Sequence, residues 1–300
     1  LIPVVGVEVE ERLDWIALTD AIDAGHARPR AAVHDSFLRR GEDTLLVRSA
    51  MIDGFGSLVK AATVFPGNAG RGRPTVDGIA CVFADGDGVP EALIDFHLLT
   101  RWKTAGDSLL AARRLAPPGV ARILIVGAGE AARALRAAYG AGFRHASFAV
   151  WNRTRARAKA LAASFPGTEV ARDLAHAVAS ADVVVCATSG GAPVLSGAWL
   201  RDGQHVDLVG AFRADMREAD DDAMRRGRLF ADSRESVAHI GEIADPMARG
   251  VIDADAIVAD FYQIEAFRRE ATDVTIFKNG GGAHLDLMTA RYILSAAGHD

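Results

Sequence analysis

The segment ARILIVGAGEAA (121–132) constrains this chain more than any other. Ile123, Leu124, Ile125 and Val126 leave no polar face, as expected of a strand covered on both sides within a parallel sheet. Two glycines follow, then an alanine-rich stretch of helical pattern from about 129 to 139. Gly127-Ala128-Gly129-Glu130-Ala131-Ala132 has the form G-x-G-x-x-A. In such a turn the first glycine makes the tight bend and the second lets backbone approach a pyrophosphate. The small third residue lets helix and strand pack closely, and the helix N-terminus faces the phosphate charge. Gly127, Gly129, Glu130 and Ala131 are therefore the expected contacts of a dinucleotide. The short pattern also occurs in purely structural turns. Here strand, turn, helix and the next strand, HASFAVWN (145–152), all fall at the required distances.

Beyond Leu98 the texture is strand, turn and helix, repeated. RWKTAGDSLLAARRLA has helical spacing and stops at Pro117-Pro118-Gly119, and a second helix spans about 154–164. DVVVCAT (182–188), HVDLVGAF (205–212) and RLFAD (228–232) read as further strands. Earlier, TLLVRSAMI (44–52), SLVKAATVF (57–65), TVDGIACVFA and VPEALIDFHL are extended. The last two flank Asp85-Gly86-Asp87-Gly88, a hairpin signal. The fold class is α/β, with a Rossmann-type doubly wound parallel sheet over 104–282. A second, α+β domain with antiparallel strands covers 1–103, and the closing helix, LDLMTARYILSAAG, returns to it at about 283–300.

Half of the 300 residues are hydrophobic and 24% are charged, enough to bury a sizeable core. A net charge of −5 argues against a dedicated nucleic-acid or membrane-surface partner. No apolar run approaches the roughly 18 residues a membrane span needs, and LIPVVGVEVEERLDW lacks the basic start of a signal peptide. Cys81 and Cys186 lie in separate apolar runs, which suits two buried thiols in a reducing cytoplasm better than a disulfide or a metal site.

Cofactor selectivity is read at the end of the second strand, where an NAD site usually places an acid for the ribose 2′-hydroxyl. This chain has Asn152, Arg153 and Arg155 there, and no acidic residue between Glu130 and Glu169. Guanidinium groups would meet a 2′-phosphate with no carboxylate to repel it, so NADPH is the expected cofactor. NADH stays possible because Asn152 can hydrogen-bond a bare hydroxyl. The plain alternative is a solvated basic helix face.

The order of further blocks is similar to the ornithine cyclodeaminase/μ-crystallin family of NAD(P)-dependent enzymes. They are Val59-Lys60 with VFPGN (64–68), RPTVDG (73–78), LIDFHLLTRWKTAG, VGAGEAA, VWNRT, CATSG, HVDLVGAF with MRE, and TIFKNGGGAHLDLMTA. The resemblance implies a first domain that binds substrate and dimerises through its antiparallel sheet. It also implies a substrate carboxylate held by cations of that domain, facing the nicotinamide. Arg30, Lys60, Thr75 and Lys103 match those positions, with Arg28, Arg39, Arg40 and Arg48 as rivals to Arg30. Lys103 stands where most members have arginine, which keeps the charge and loses the bidentate geometry. Thr188, Val209, Gly210, Asn279 and Gly280 are the further expected cofactor contacts. The KNGGG run could equally be a turn before the last helix.

Cyclodeaminases carry an acid where this chain has Phe212, and a phenyl ring moves no proton. The acid they use ahead of the first-domain lysine has no clear counterpart either. The resemblance therefore implies an imine reductase, Δ1-pyrroline-2-carboxylate to L-proline, with the six-membered homologue as a further substrate. An alanine-like amino-acid dehydrogenase, a cyclodeaminase and a non-catalytic NADPH-binding protein are the alternatives. His205 and Asp207 alternate with apolar neighbours, which suits a structural role.

Overall fold

A computed structural model describes residues 1–298, so the last two positions of the expected C-terminal return lie outside the described residues. The chain divides into two compact units, Leu1–Lys103 with Gly282–Asp300, and Thr104–Gly281.

The first unit begins with β1 (Val4–Val5) and α1 (Trp15–His26). Asp14 caps α1, its carboxylate accepting from the amides of Ile16 and Ala17 at 2.9 Å. Then come β2 (Ala32–Arg40), β3 (Asp43–Ile52), β4 (Gly56–Val64), β5 (Val76–Phe83) and β6 (Pro90–Asp95). The sheet order is β1-β6-β5-β4-β3-β2, an antiparallel meander with β1 added parallel to β6. The expected hairpin joins β5 to β6, with Gly88 at φ 70°. On one face Leu58, Ala80, Val82 and Ile94 are fully buried, each large side chain worth about 1.5–3 kcal/mol by removal from water. On the other, Leu38, Leu45, Met51, Val59 and Ile79 remain exposed. Cys81 shares that face and is only half-buried, so the expectation of two buried thiols holds for Cys186 alone.

The helix α2 (Phe96–Leu115) starts five residues earlier than its pattern suggested, because Asp95 accepts from the amide of Leu98 and caps it directly after β6. The unit boundary falls within this helix, between Lys103 and Thr104.

The second unit continues with β7 (Arg122–Val126), α3 (Glu130–Gly142), β8 (Ser147–Trp151), α4 (Arg155–Ala163), β9 (Thr168–Val170), α5 (Leu174–Ser180), β10 (Val183–Cys186) and β11 (His205–Leu208). Next are α6 (Asp221–Arg226), β12 (Gly227–Ala231), α7 (Arg234–Val237), α8 (Gly241–Ala248), β13 (Ile257–Ala259) and β14 (Val274–Lys278). The chain closes with α9 (Ala283–Ala297), which packs on α1, β3 and β4 of the first unit. All eight strands of the second unit run parallel, in the order β13-β12-β14-β11-β10-β7-β8-β9. The chain winds outward from β7 to β9, then restarts on the other side of β7 at β10. This reversal leaves a crevice at the carboxyl ends of β7 and β10, where such sheets bind ligands.

Two polar residues of β11 are fully buried. His205 lies 2.9 Å from the Thr275 hydroxyl, and burial, with the nearby Arg269 charge, pushes its imidazole down to about 3. Asp207 accepts from the Tyr139 hydroxyl at 2.9 Å, and burial raises its carboxyl to about 7 against bonds from Ser108 and Tyr139 that pull the other way. Because the folded pKa lies above the ordinary 3.8, the folded chain keeps a proton between roughly pH 4 and 7 that the unfolded chain has lost. This contribution is complete below that window and disappears as pH rises through it. Asp207→Asn is therefore expected to show a smaller decline in melting temperature over the same interval. Parallel curves for the two proteins would assign the titration elsewhere.

Candidate functional site

A cavity of about 480 Å³ opens at the β7/β10 crevice of the second unit. Gly127 sits at φ 127°, and a Cβ there would lie 2.4 Å from the carbonyl oxygen of Ala187. Only glycine allows the turn to touch the neighbouring strand end this closely. Gly129, the residue before α3, is extended, and a Cβ there would have nothing within 4 Å. That open side, with the unsatisfied amides of the first turn of α3, is a cradle for an anion. Ala128, Glu130 and Ala131 complete this edge of the cavity.

At the end of β8, Asn152, Arg153, Thr154 and Arg157 line the cavity. Asn152 donates its amide to the Thr154 carbonyl oxygen at 3.0 Å. Arg153 and Arg157 are exposed, and no carboxylate among the described residues pairs with either. Arg155 was the expected contact, yet it does not line the cavity. It is the first residue of α4, and Arg157, two positions on, lies about 200° further round the helix.

The opposite wall comes from Ala187, Thr188 and Ser189 after β10, and Val209, Gly210 and Phe212 after β11. Phe212 is 58% exposed, which rules out plain core packing for the ring. Behind this wall lies a buried carboxylate that the sequence reading did not single out. Glu218 accepts from the amide and hydroxyl of Thr188 at 2.7 and 2.8 Å, and from the amide of Gly210 at 2.5 Å. Glu242, equally buried, accepts from the amides of Glu218 and Ala219. Burial raises both carboxyls, Glu242 to about 7, while the buried Lys278 ammonium opposes the rise.

Asn279 and Gly280 do not line this cavity. The Asn279 amide donates to Thr104 O and Ser108 Oγ of α2, and the Gly280 and Gly281 amides both donate to the buried Asp232 carboxylate. Here the glycine run is a turn fixed by an acid ahead of α9.

In the first unit, Lys60 is buried on β4 and donates to Asp286 of α9 at 2.8 Å. Its ammonium also lies 4.9 Å from the Phe96 ring centroid. Burial pushes the Lys60 pKa down, Asp286 pulls it up, and the charges of Lys103 and Arg48 lower it again. Arg48 is the direct cross-strand partner of Lys60 and pairs with Asp35 at 3.0 Å. The buried His284 imidazole is held well below its ordinary value, first by burial and then by His26, Lys103, Arg30 and Arg48. Lys60, Lys103, Arg30 and Arg48 thus gather around the start of α9. Thr75 does not join them through any observed bond. It is exposed before β5, five positions from the residue paired with Lys60, and its carbonyl accepts from Phe65. Asp286 escaped the sequence reading although it lies inside the quoted AHLDLMTA block. Nothing local to β3 or β4 announces a carboxylate 226 residues away.

Residues 18–299 match the ornithine cyclodeaminase/mu-crystallin family. The chain belongs to that family. It is 47% identical to a Δ1-pyrroline-2-carboxylate reductase of Paracoccus denitrificans over 94% of this chain and 92% of that protein. It is 32% identical to the ketimine reductase mu-crystallin of Rattus norvegicus over 78% of this chain and 74% of the relative. Among solved structures, the Δ1-pyrroline-2-carboxylate reductase of Thermococcus litoralis, in complex with NADH and L-proline, superposes with a TM-score of 0.91. That match is 25% identical and covers 99% of this chain and 97% of the other. Among the described residues, no helix is long and apolar enough to cross a membrane, and no group of three or more His, Cys, Asp or Glu is placed to hold a metal. This member of the family has the open Gly129 cradle, which fits a dinucleotide pyrophosphate. The expectation for Gly127→Ala is a loss of dinucleotide affinity of at least tenfold, read by titration, because the new methyl meets the Ala187 carbonyl.

Proposed function

We propose that this chain is an NAD(P)H-dependent imine reductase converting Δ1-pyrroline-2-carboxylate to L-proline, and its six-membered homologue to L-pipecolate. The observation that carries the reading is the 47% identity, over 94% of the chain, to a protein of that activity. The site chemistry agrees with it. When bound, the reduced nicotinamide supplies a hydride for C2 of the C=N bond, and the ring nitrogen leaves the reaction as an amine.

The chain's own groups have three tasks. Gly127, Gly129 and the first turn of α3 would take the pyrophosphate, and Arg153 and Arg157 the ribose side, where their charge favours a 2′-phosphate and hence NADPH. Lys60 and Lys103, with Arg30 or Arg48 beside them, would take the substrate carboxylate. Lys60 is the best placed of these. Its burial strengthens its pull on an anion, and Asp286 fixes its ammonium and opposes the loss of charge that burial favours. A cyclic imine that arrives protonated needs no strong acid from the protein, and Phe212 offers none. Asn279, Gly280 and Thr75 enter this reading only by the family resemblance. Both cysteines are free thiols, which supports a reducing cytoplasm as the site of action.

A homodimer is part of the proposal. The outer face of the first unit's sheet exposes Leu38 at 67%, Met51 at 58% and Ile79 at 41%, large apolar side chains of the kind that an interaction site covers.

The deciding assay follows NADPH oxidation with pyrroline-2-carboxylate, its six-membered homologue, and pyruvate with ammonia. Turnover of the imines without an ammonia requirement is expected, and turnover only of pyruvate with ammonia would make the chain an amino-acid dehydrogenase. Lys60→Met should lower kcat/KM for the imine by about 100-fold while NADPH affinity stays near wild type. Unchanged kcat/KM removes Lys60 from the site. Replacing Arg153 and Arg157 by alanine should raise KM for NADPH about tenfold and leave NADH within about twofold. In light scattering the wild type is expected near twice its 31.7 kDa chain mass, and Ile79→Lys should shift it towards the monomer.

A further inference from the structure

Thr188 and Gly210 belong to different turns, one after β10 and one after β11, and both line the cofactor cavity. The two turns touch without intervening side chains, since a Cβ on Gly210 would lie 1.9 Å from Thr188 O and 2.5 Å from Thr188 N. One carboxylate joins them: Glu218 Oε1 accepts from the Thr188 amide and hydroxyl, and Oε2 from the Gly210 amide. Glu218 is fully buried; among the described residues its carboxylate bonds only these donors, while its carbonyl accepts from the amides of Val194, also in the lining, and Leu195. Its own backbone is held in turn, because the Glu218 and Ala219 amides donate to the buried Glu242 carboxylate. Behind both turns the Lys278 ammonium donates to Leu208 O and Asn279 O, the cation closest in influence to these buried acids.

From this geometry we infer that Glu218 is a positioning residue that sets the spacing of the two cofactor-facing turns and so tunes dinucleotide affinity. The inference rests on the reading of the cavity as a dinucleotide site. Its physical basis is that a carboxylate accepts on both oxygens. An amide of the same shape can accept from Thr188, but its NH2 would face the Gly210 N–H donor to donor and push the turns apart. The Thr188 hydroxyl donates to Glu218, so it has no proton left to give a ligand. Its contribution to binding therefore runs through the carboxylate.

The test compares wild type, Glu218→Gln and Thr188→Val. NADPH dissociation constants come from fluorescence titration, melting temperature is measured alongside, and KM for the imine is measured at saturating NADPH. Glu218→Gln should weaken NADPH about tenfold, the effect of one unsatisfied buried donor. Thr188→Val, which keeps the side-chain shape and removes one bond, should weaken it about threefold. Thr188→Ser, which restores the hydroxyl, should recover most of that loss. The imine KM should stay within about twofold in all three, since the carboxylate acts only on cofactor turns. A lower melting temperature with an unchanged NADPH constant in Glu218→Gln would show a purely structural acid and overturn the inference. Were that variant not to fold, an unchanged constant in Thr188→Val would overturn it equally. A wild type that binds no dinucleotide would instead remove the reading of the cavity, a separate result.

Discussion

The candidate site depends on backbone approaching backbone at the carboxyl ends of three neighbouring parallel strands. Gly127 brings the turn after β7 against Ala187, and Gly210 brings the turn after β11 against Thr188. Any side chain at either position would occupy space already filled by a carbonyl oxygen. With those contacts in place, the cavity has a wall of main-chain atoms, which present fixed donors and small surface to a long flat ligand. Loss of either contact would separate the turns and leave the helix dipole of α3 facing open solvent.

Burying polar groups to build that wall creates charges that must be answered inside the protein. In the second unit the answer is a relay: Glu242 holds the backbone of Glu218, Glu218 holds two turns, and Asp232 holds the glycine run beyond β14. In the first unit it is the Lys60–Asp286 pair, flanked by Arg48–Asp35. The two arrangements use the same chemistry differently. Acids organise backbone donors in the second unit, and in the first an acid anchors a cation whose remaining donors can serve an anion.

The dinucleotide half was legible in the sequence because its signals are local. Consecutive apolar residues, two spaced glycines and a small residue in the following helix encode the turn within a dozen positions. The arginines after β8 were legible as a group, but choosing Arg157 over Arg155 required the start of α4 and its rotation. Glu218 stood in the quoted MRE block without a role, since its carboxylate's partners sit on two turns whose approach only the sheet brings about. The first unit was harder. β4 shows a lysine among apolar residues, which marks it, but its partner lies on the last helix, and no periodicity links positions 226 apart. β14 escaped for a related reason: TIFKNGGG reads as a run into a turn, and only the sheet order reveals TIFK as a fully buried inner strand.

That position of β14 bears on how the chain is made. β12 and β13 join the sheet only through β14, which stands between them and β11 although it comes last in the chain of strands. The first unit waits in the same way for α9, which covers β3 and β4 and brings the counter-charge for Lys60. As the polypeptide leaves the ribosome, both halves therefore present uncovered apolar surface until residues 274–297 emerge. Neither sheet can thus close stepwise from its N-terminal strands, and a chaperone that shields the nascent chain has the longest exposure to guard in the six-stranded sheet.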